Sequence, residues 1–202
     1  MKERIAANLR ANIARVRSLV GAYDTLNTPG AGRPSVQQVD VLRAAVVLLH
    51  ATLEDVIRTS SEEILPAASE EVLNEIGFPD GQDKTKPKFT LGELHPFRGR
   101  SVDDLIREAV RARLQRSNYN SVTEVAAALN RIGLKPTVLD PDQDEMESLM
   151  KRRHLIVHRA DKNPLPRRGR GVPLTVHLPK LTVETWVDMV EGVGGRIVGA
   201  LP

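Results

Sequence analysis

Late in the chain, Arg152-Arg153-His154-Leu155-Ile156-Val157-His158 brings two guanidiniums and two imidazoles together. Histidine titrates near neutrality and can take and return a proton, while arginine stays charged and can grip phosphate oxygens with paired N–H donors. Upstream, Asp140-Pro141 supplies a capping residue and a first-turn proline, so the spacing predicts a helix from 141 to about 158. Projected at about 100° per residue, Met146, Leu149, Met150, Ile156 and Val157 share one face. Arg153 falls near the centre of that face, where a bundle helix ordinarily carries leucine. A buried, unpaired guanidinium is costly, so Arg153 is expected to have a partner or a role. His154 and His158 sit together at the edge of the face, and Arg152 projects toward solvent.

Three chemistries fit this arrangement. Arg153 can pair with a buried carboxylate, for which Glu54 or Asp55 beside the seam of an earlier helix are the candidates, leaving the histidines incidental. His154 and His158, at i and i+4, can share a zinc ion, but His-Glu-x-x-His is not present and no third ligand is marked. The third option is phosphate chemistry, with His158 moving protons and Arg153 holding charge that develops on phosphorus.

Charge favours a polyanion as partner. Residues 151–170 carry eight Lys/Arg against the single acid Asp161, a local net of +7 in a chain whose total is +3. Arg152, Arg159, Arg167, Arg168 and Arg170 are therefore candidates for diffuse contacts along an RNA backbone. Aromatic residues make up only 3% of the chain, which argues against a base-stacking platform of the RRM or OB kind. The absence of cysteine excludes disulfides, thiolate catalysis and Cys-based zinc sites. With 41% apolar and 27% charged residues and no run long enough to span a bilayer, the expectation is a soluble cytoplasmic protein. No signal peptide is apparent at Met1-Lys2-Glu3-Arg4.

The elements that must position the Arg/His segment read as helices. Ile5, Leu9, Ile13, Val16, Leu19 and Val20 predict a helix over 2–26, and Ser35-x-x-Gln38 is a capping box for the next. Val39, Leu42, Val46, Leu49, Leu53 and Val56 form an unbroken seam, predicting a long helix to about Ile64. Pro66 opens a short helix ending near Gly77, and 78–100 reads as a surface excursion. Ser101-x-x-Asp104 starts a helix to about Arg116 with Val102, Leu105, Ile106, Ala109 and Val110 inward. Ser121-x-x-Glu124 starts a shorter one that stops at Gly133. A basic Pro/Arg-rich loop at about 159–180, with at most a short strand at 174–178, precedes a last helix capped by Thr182. That helix presents Val183, Trp186, Val190, Val193, Ile197 and Leu201. The sum is one all-α domain over 1–202, an antiparallel helix bundle with loop insertions. His50, His95 and His177 are isolated in sequence, and His50 beside Leu49 reads as a packed histidine. Gly192-x-Gly194-Gly195 follows no strand and is a poor phosphate loop, and the acidic run from Asp140 to Glu147 lacks the glycine and distal glutamate of an EF-hand.

Arg153-His154-Leu155-Ile156-Val157-His158 resembles the Arg-x(4–6)-His signature of HEPN domains, including the polar residue after the arginine and the apolar run before the histidine. The helix from Leu42 to Arg58 resembles that family's early bundle helix with its acidic end. The late motif followed by one amphipathic helix fits as well, the RiboL-PSP-HEPN branch being the nearest in pattern. The resemblance implies a HEPN-type bundle and a metal-independent endoribonuclease that needs no cofactor. Two copies would pair their Arg/His sets in one cleft, and the 2′-OH of RNA would attack the adjacent phosphorus. His158 would be the general acid or base, Arg153 the phosphate clamp, and His154 the residue that orients the pair. It also implies a toxin or antiviral effector, with an antitoxin protein as a further partner. The second reading is a catalytically silent HEPN-like bundle that binds nucleic acid, nucleotide or a protein. On one continuous helix Arg153 and His158 lie about 140° apart. Either the helix frays before His158, or a second copy completes the site.

Overall fold

The computed structural model describes residues 1–26, 34–76, 91–163 and 175–202. Seven α-helices are present among them: α1 Lys2–Thr25, α2 Val36–Ile64, α3 Glu70–Ile76, α4 Val102–Gln115, α5 Val122–Arg131, α6 Gln143–Arg159 and α7 Lys180–Ala200. No strand occurs among the described residues. Lys162 and Thr175 form an isolated bridge where a short strand was expected, and Leu174 lies outside them. No described helix is long and apolar enough to cross a membrane.

The long seam of α2 makes it the axis of the fold, because its buried residues point in several directions at once. Leu42, Ala45, Val46, Leu49, Leu53, Val56 and Ile57 are all buried, and α2 packs against α1, α4, α5, α6 and α7. Ser35 starts it with a reciprocal capping box: its hydroxyl accepts from the Gln38 backbone, and the Gln38 side chain accepts from Ser35 N at 2.7 Å. The same Gln38 side chain donates to Tyr23 O at the far end of α1, while Arg4 pairs with Glu63. α1 and α2 are thus antiparallel. Lys180 pairs with Asp24 at 2.8 Å, and Lys2 reaches Gly199 O, which sets α7 antiparallel to α1. One apolar cluster joins these helices.

Of the glycines on α7, Gly194 is required by packing. A Cβ there would lie 2.7 Å from the Leu9 side chain, so the missing side chain lets α7 approach α1 closely. Several boundaries differ from expectation. Pro66 lies in a tight 3₁₀ turn, Leu65–Ala67, ahead of α3, and Pro141 lies in another, Pro136–Asp142, so α6 begins two residues late at Gln143. α7 begins at Lys180 with Pro179 before it, and Thr182 is not its cap. Val102, expected inward, is 70% exposed because the first turn of α4 overhangs the bundle. Of the surface excursion, 78–90 lies outside the described residues, and Leu91–Phe97 forms a 3₁₀ turn.

Candidate functional site

Helix α6 carries the Arg/His segment, and Met146, Leu149 and Met150 bury it against the bundle. The two arginines that follow have opposite fates. Arg152, expected at the surface as an RNA contact, is turned inward with its side chain 11% exposed. It donates to Asp161 Oδ2 at 2.8 Å, Val176 O at 2.9 Å and His177 O at 3.1 Å. Arg43 of α2 donates to the same Asp161 oxygen at 2.8 Å. Burial, with Arg43 alongside, lowers the Arg152 pKa from its ordinary value, and Asp161 opposes that shift.

The helical wheel could not anticipate this because the partner arrives from beyond the helix. α6 stops at Ala160 and Asp161, which hold φ of +47° and +54°, left-handed values that L-residues seldom adopt. This turn folds the chain back beneath its own last turns. It places Asp161, fully buried, between the two guanidiniums, and Asp161 N closes the helix on Leu155 O at 3.0 Å. Arg152 is a structural clamp.

Arg153 is left with little to do structurally. It is half-buried, its Nη1 donates to Asn120 Oδ1 at 3.2 Å, and its Nε is buried without a partner among the described residues. Neither Glu54 nor Asp55 forms an ion pair with it, although both are half-buried on α2. The carboxylate reading of Arg153 is corrected accordingly: Glu54 sits instead 3.9 Å from Nδ1 of His50. A guanidinium has five N–H donors, and one neutral amide oxygen leaves most of them free.

His50 is buried, and its Nε2 lies 3.1 Å from Tyr119 O. A carbonyl only accepts, so Nε2 carries the proton and Nδ1 is bare. Burial lowers the His50 pKa; Glu54 opposes the shift and the charge of Arg153 adds to it. Unfolded histidine titrates near pH 6.5, so acid is taken up by the unfolded chain first. This contribution to stability is therefore complete above about pH 6.5 and is lost as pH falls below it, through the lower folded value. We expect the urea midpoint to fall as pH drops below about 6.5. That slope should flatten in His50→Gln, which keeps a donor toward Tyr119 O; an undiminished slope would remove His50 from this role.

His154 and His158 are both exposed, with ring centroids 4.6 Å apart. α6 runs unbroken through both and ends at Arg159, so it does not fray before His158. The angle of about 140° between Arg153 and His158 stands, with Arg153 leaning on the bundle and His158 in solvent. Val157, expected on the apolar face, is 46% exposed, because at the end of α6 the covered side is that of Arg152 and Ile156. Among the described residues no group of three or more His, Cys, Asp or Glu is placed to hold a metal.

The basic field is smaller than its sequence count. Arg152 is internal, Lys151 pairs with Glu147 at 3.2 Å, and Arg159 is exposed. Arg167, Arg168 and Arg170 lie outside the described residues. Two participants escaped sequence reasoning. Asp161 registered only as the lone acid of a basic stretch, and Asn120 gave no signal beyond the helix cap that follows it.

A scan against protein-family models, a search of curated proteins and a search of solved structures each return no significant match, so the reading of this site rests on its own residues.

Proposed function

We propose that this chain is a metal-independent endoribonuclease that acts as a homodimer, of the kind its Arg-x(4)-His segment resembles. The observation that carries the reading is Arg153: a half-buried guanidinium held, among the described residues, by one amide oxygen and by no carboxylate, with most donors unspent. A purely structural arginine at this depth is expected to look like Arg152, whose two terminal nitrogens are held by a carboxylate and two carbonyls. Two exposed imidazoles, His154 and His158, are carried by the same helix.

In the reaction, the 2′-oxygen of a ribose attacks the adjacent phosphorus and the P–O5′ bond breaks, leaving a 2′,3′-cyclic phosphate and a 5′-OH. His158 of one copy takes the 2′-OH proton, and a proton reaches the departing O5′ from solvent or from the second copy's imidazole. Arg153 of the other copy holds the phosphate oxygens as charge accumulates. His154, touching His158, orients its ring. The second copy is required by the angle along α6, since one helix does not turn both side chains to one phosphate. An effector role in defence or toxicity, with an antitoxin as partner, accords with such an activity.

The test incubates the purified chain with structured and unstructured RNAs in EDTA and analyses the ends produced. Cyclic-phosphate ends are expected, and substituting 2′-deoxyribose at the cleaved position should stop the reaction. RNAs left intact would overturn the proposal, and a strict need for a divalent ion would replace it with metal-assisted chemistry.

A further inference from the structure

A surface turn rarely needs anchoring from several elements, yet the one joining α4 to α5 is tied down at three points. From α2, Arg58 donates to Leu114 O and to Ser117 O, the latter at 3.3 Å, and its guanidinium lies 5.4 Å from the Tyr119 ring centroid. Also from α2, His50 donates to Tyr119 O at 3.1 Å. From α5, Glu124 accepts from Asn120 N at 2.7 Å, while Ser121 caps the helix in the ordinary way by accepting from Glu124 N. Glu124 thus reaches one residue beyond the cap and fixes the backbone of Asn120 itself.

All of this rigidity converges on one exposed side chain. Tyr119 is buried and serves as the peg, whereas Asn120 is exposed and contributes little to the core. What Asn120 does supply is Oδ1, 3.2 Å from Nη1 of Arg153. That oxygen is the sole protein acceptor for this guanidinium among the described residues. A neutral amide suits this position because it orients the guanidinium without cancelling its charge, as a carboxylate would. The anchors also come from α2, the helix against which α6 packs, so the turn and Arg153 are registered to the same body.

We propose that Asn120 is the positioning residue for Arg153, and that the His50, Arg58 and Glu124 contacts exist to hold it in place. The inference rests on the ribonuclease reading for its catalytic meaning, though not for its structural content. Asn120 aims the guanidinium and leaves its remaining donors toward the phosphate, so that Arg153 does not have to be ordered by substrate.

The experiment follows solvent exchange of the Arg153 Nη–H protons, the donors that face Asn120, by nitrogen-15 NMR in the intact chain, assigned by their disappearance in Arg153→Lys. Asn120→Ala should speed exchange severalfold, and Asn120→Asp, which keeps an acceptor at the same reach, should retain most of the protection. Asn118→Ala, at an exposed neighbour in the same turn, serves as control and should change nothing. In cleavage assays Asn120→Ala should lower kcat on the order of tenfold with KM little changed, the pattern of a misaimed group. Wild-type protection of Arg153 in a folded Asn120→Ala would overturn the proposal. If the wild type cuts no RNA, the ribonuclease reading fails, and the exchange measurement still decides what Asn120 does.

Discussion

Asp161→Ala is expected to remove about 3–5 kcal/mol of stability, the loss typical of stripping one partner from a buried ion cluster. For a chain of this length that corresponds to a fall in Tm of roughly 10 °C. Asp161 is fully buried, and Arg43 and Arg152 both donate to its Oδ2, so its removal leaves two cations facing each other inside the protein. Nor is the wild-type cluster saturated: Asp161 Oδ1, Arg43 Nη2 and Arg152 Nε find no partner among the described residues. The carboxylate is what makes the cluster tolerable at all. The left-handed backbone at Asp161 offers a competing explanation, since alanine is less at ease there than aspartate. Asp161→Asn separates the two, keeping the residue type that tolerates the turn while removing the charge. The triple change Arg43→Met, Arg152→Met, Asp161→Asn should recover much of the loss, because it removes the stranded cations as well. If denaturation shows the triple variant no better than Asp161→Ala, the strain of the turn and not the charge sets the stability.

How much of this was legible beforehand depends on whether the cause lay inside one helix. The α2 seam and its capping box could be read directly, because a spacing of three and four and a Ser-x-x-Gln cap are local signals that the bundle reinforces. The antiparallel order of α1 and α2 followed from the same pattern. The roles of Arg152 and Arg153 were only half legible. The wheel placed Arg153 correctly at the bundle, but it sent Arg152 to solvent, since periodicity carries no information about a chain that reverses through two left-handed residues. Val157 is exposed for a related reason: an apolar face is buried only where a neighbour covers it, and at the end of α6 the covered side is that of Arg152 and Ile156. Asn120 was invisible because its importance is assembled from α2, α5 and α6 together.

The contrast between adjacent arginines yields the second large effect. Arg153→Ala and His158→Ala should each cut RNA cleavage on the order of 10²- to 10⁴-fold, the range for losing a transition-state charge clamp or a general acid–base group. Both should leave stability within about 1 kcal/mol of wild type, because His158 is exposed and Arg153 gives up a single hydrogen bond. Arg152→Ala should do the reverse, losing stability first and activity only as the end of α6 loosens. Equal destabilisation of the two arginine variants would undo the division of labour drawn between them. The angle along α6 then allows a sharper test. If one phosphate is served by Arg153 of one copy and His158 of another, a mixture of the two inactive variants regains function, because each mixed dimer holds one intact combination. Random pairing makes half of the dimers mixed, each with one of its two combinations intact, so roughly a quarter of wild-type activity should return. Recovery on that scale, dependent on protein concentration, would place the site between copies. No recovery from well-folded, exchanging dimers would mean that Arg153 and His158 serve the same phosphate from a single chain. The unbroken helix from Gln143 to Arg159 would then have to unwind at its end when RNA binds.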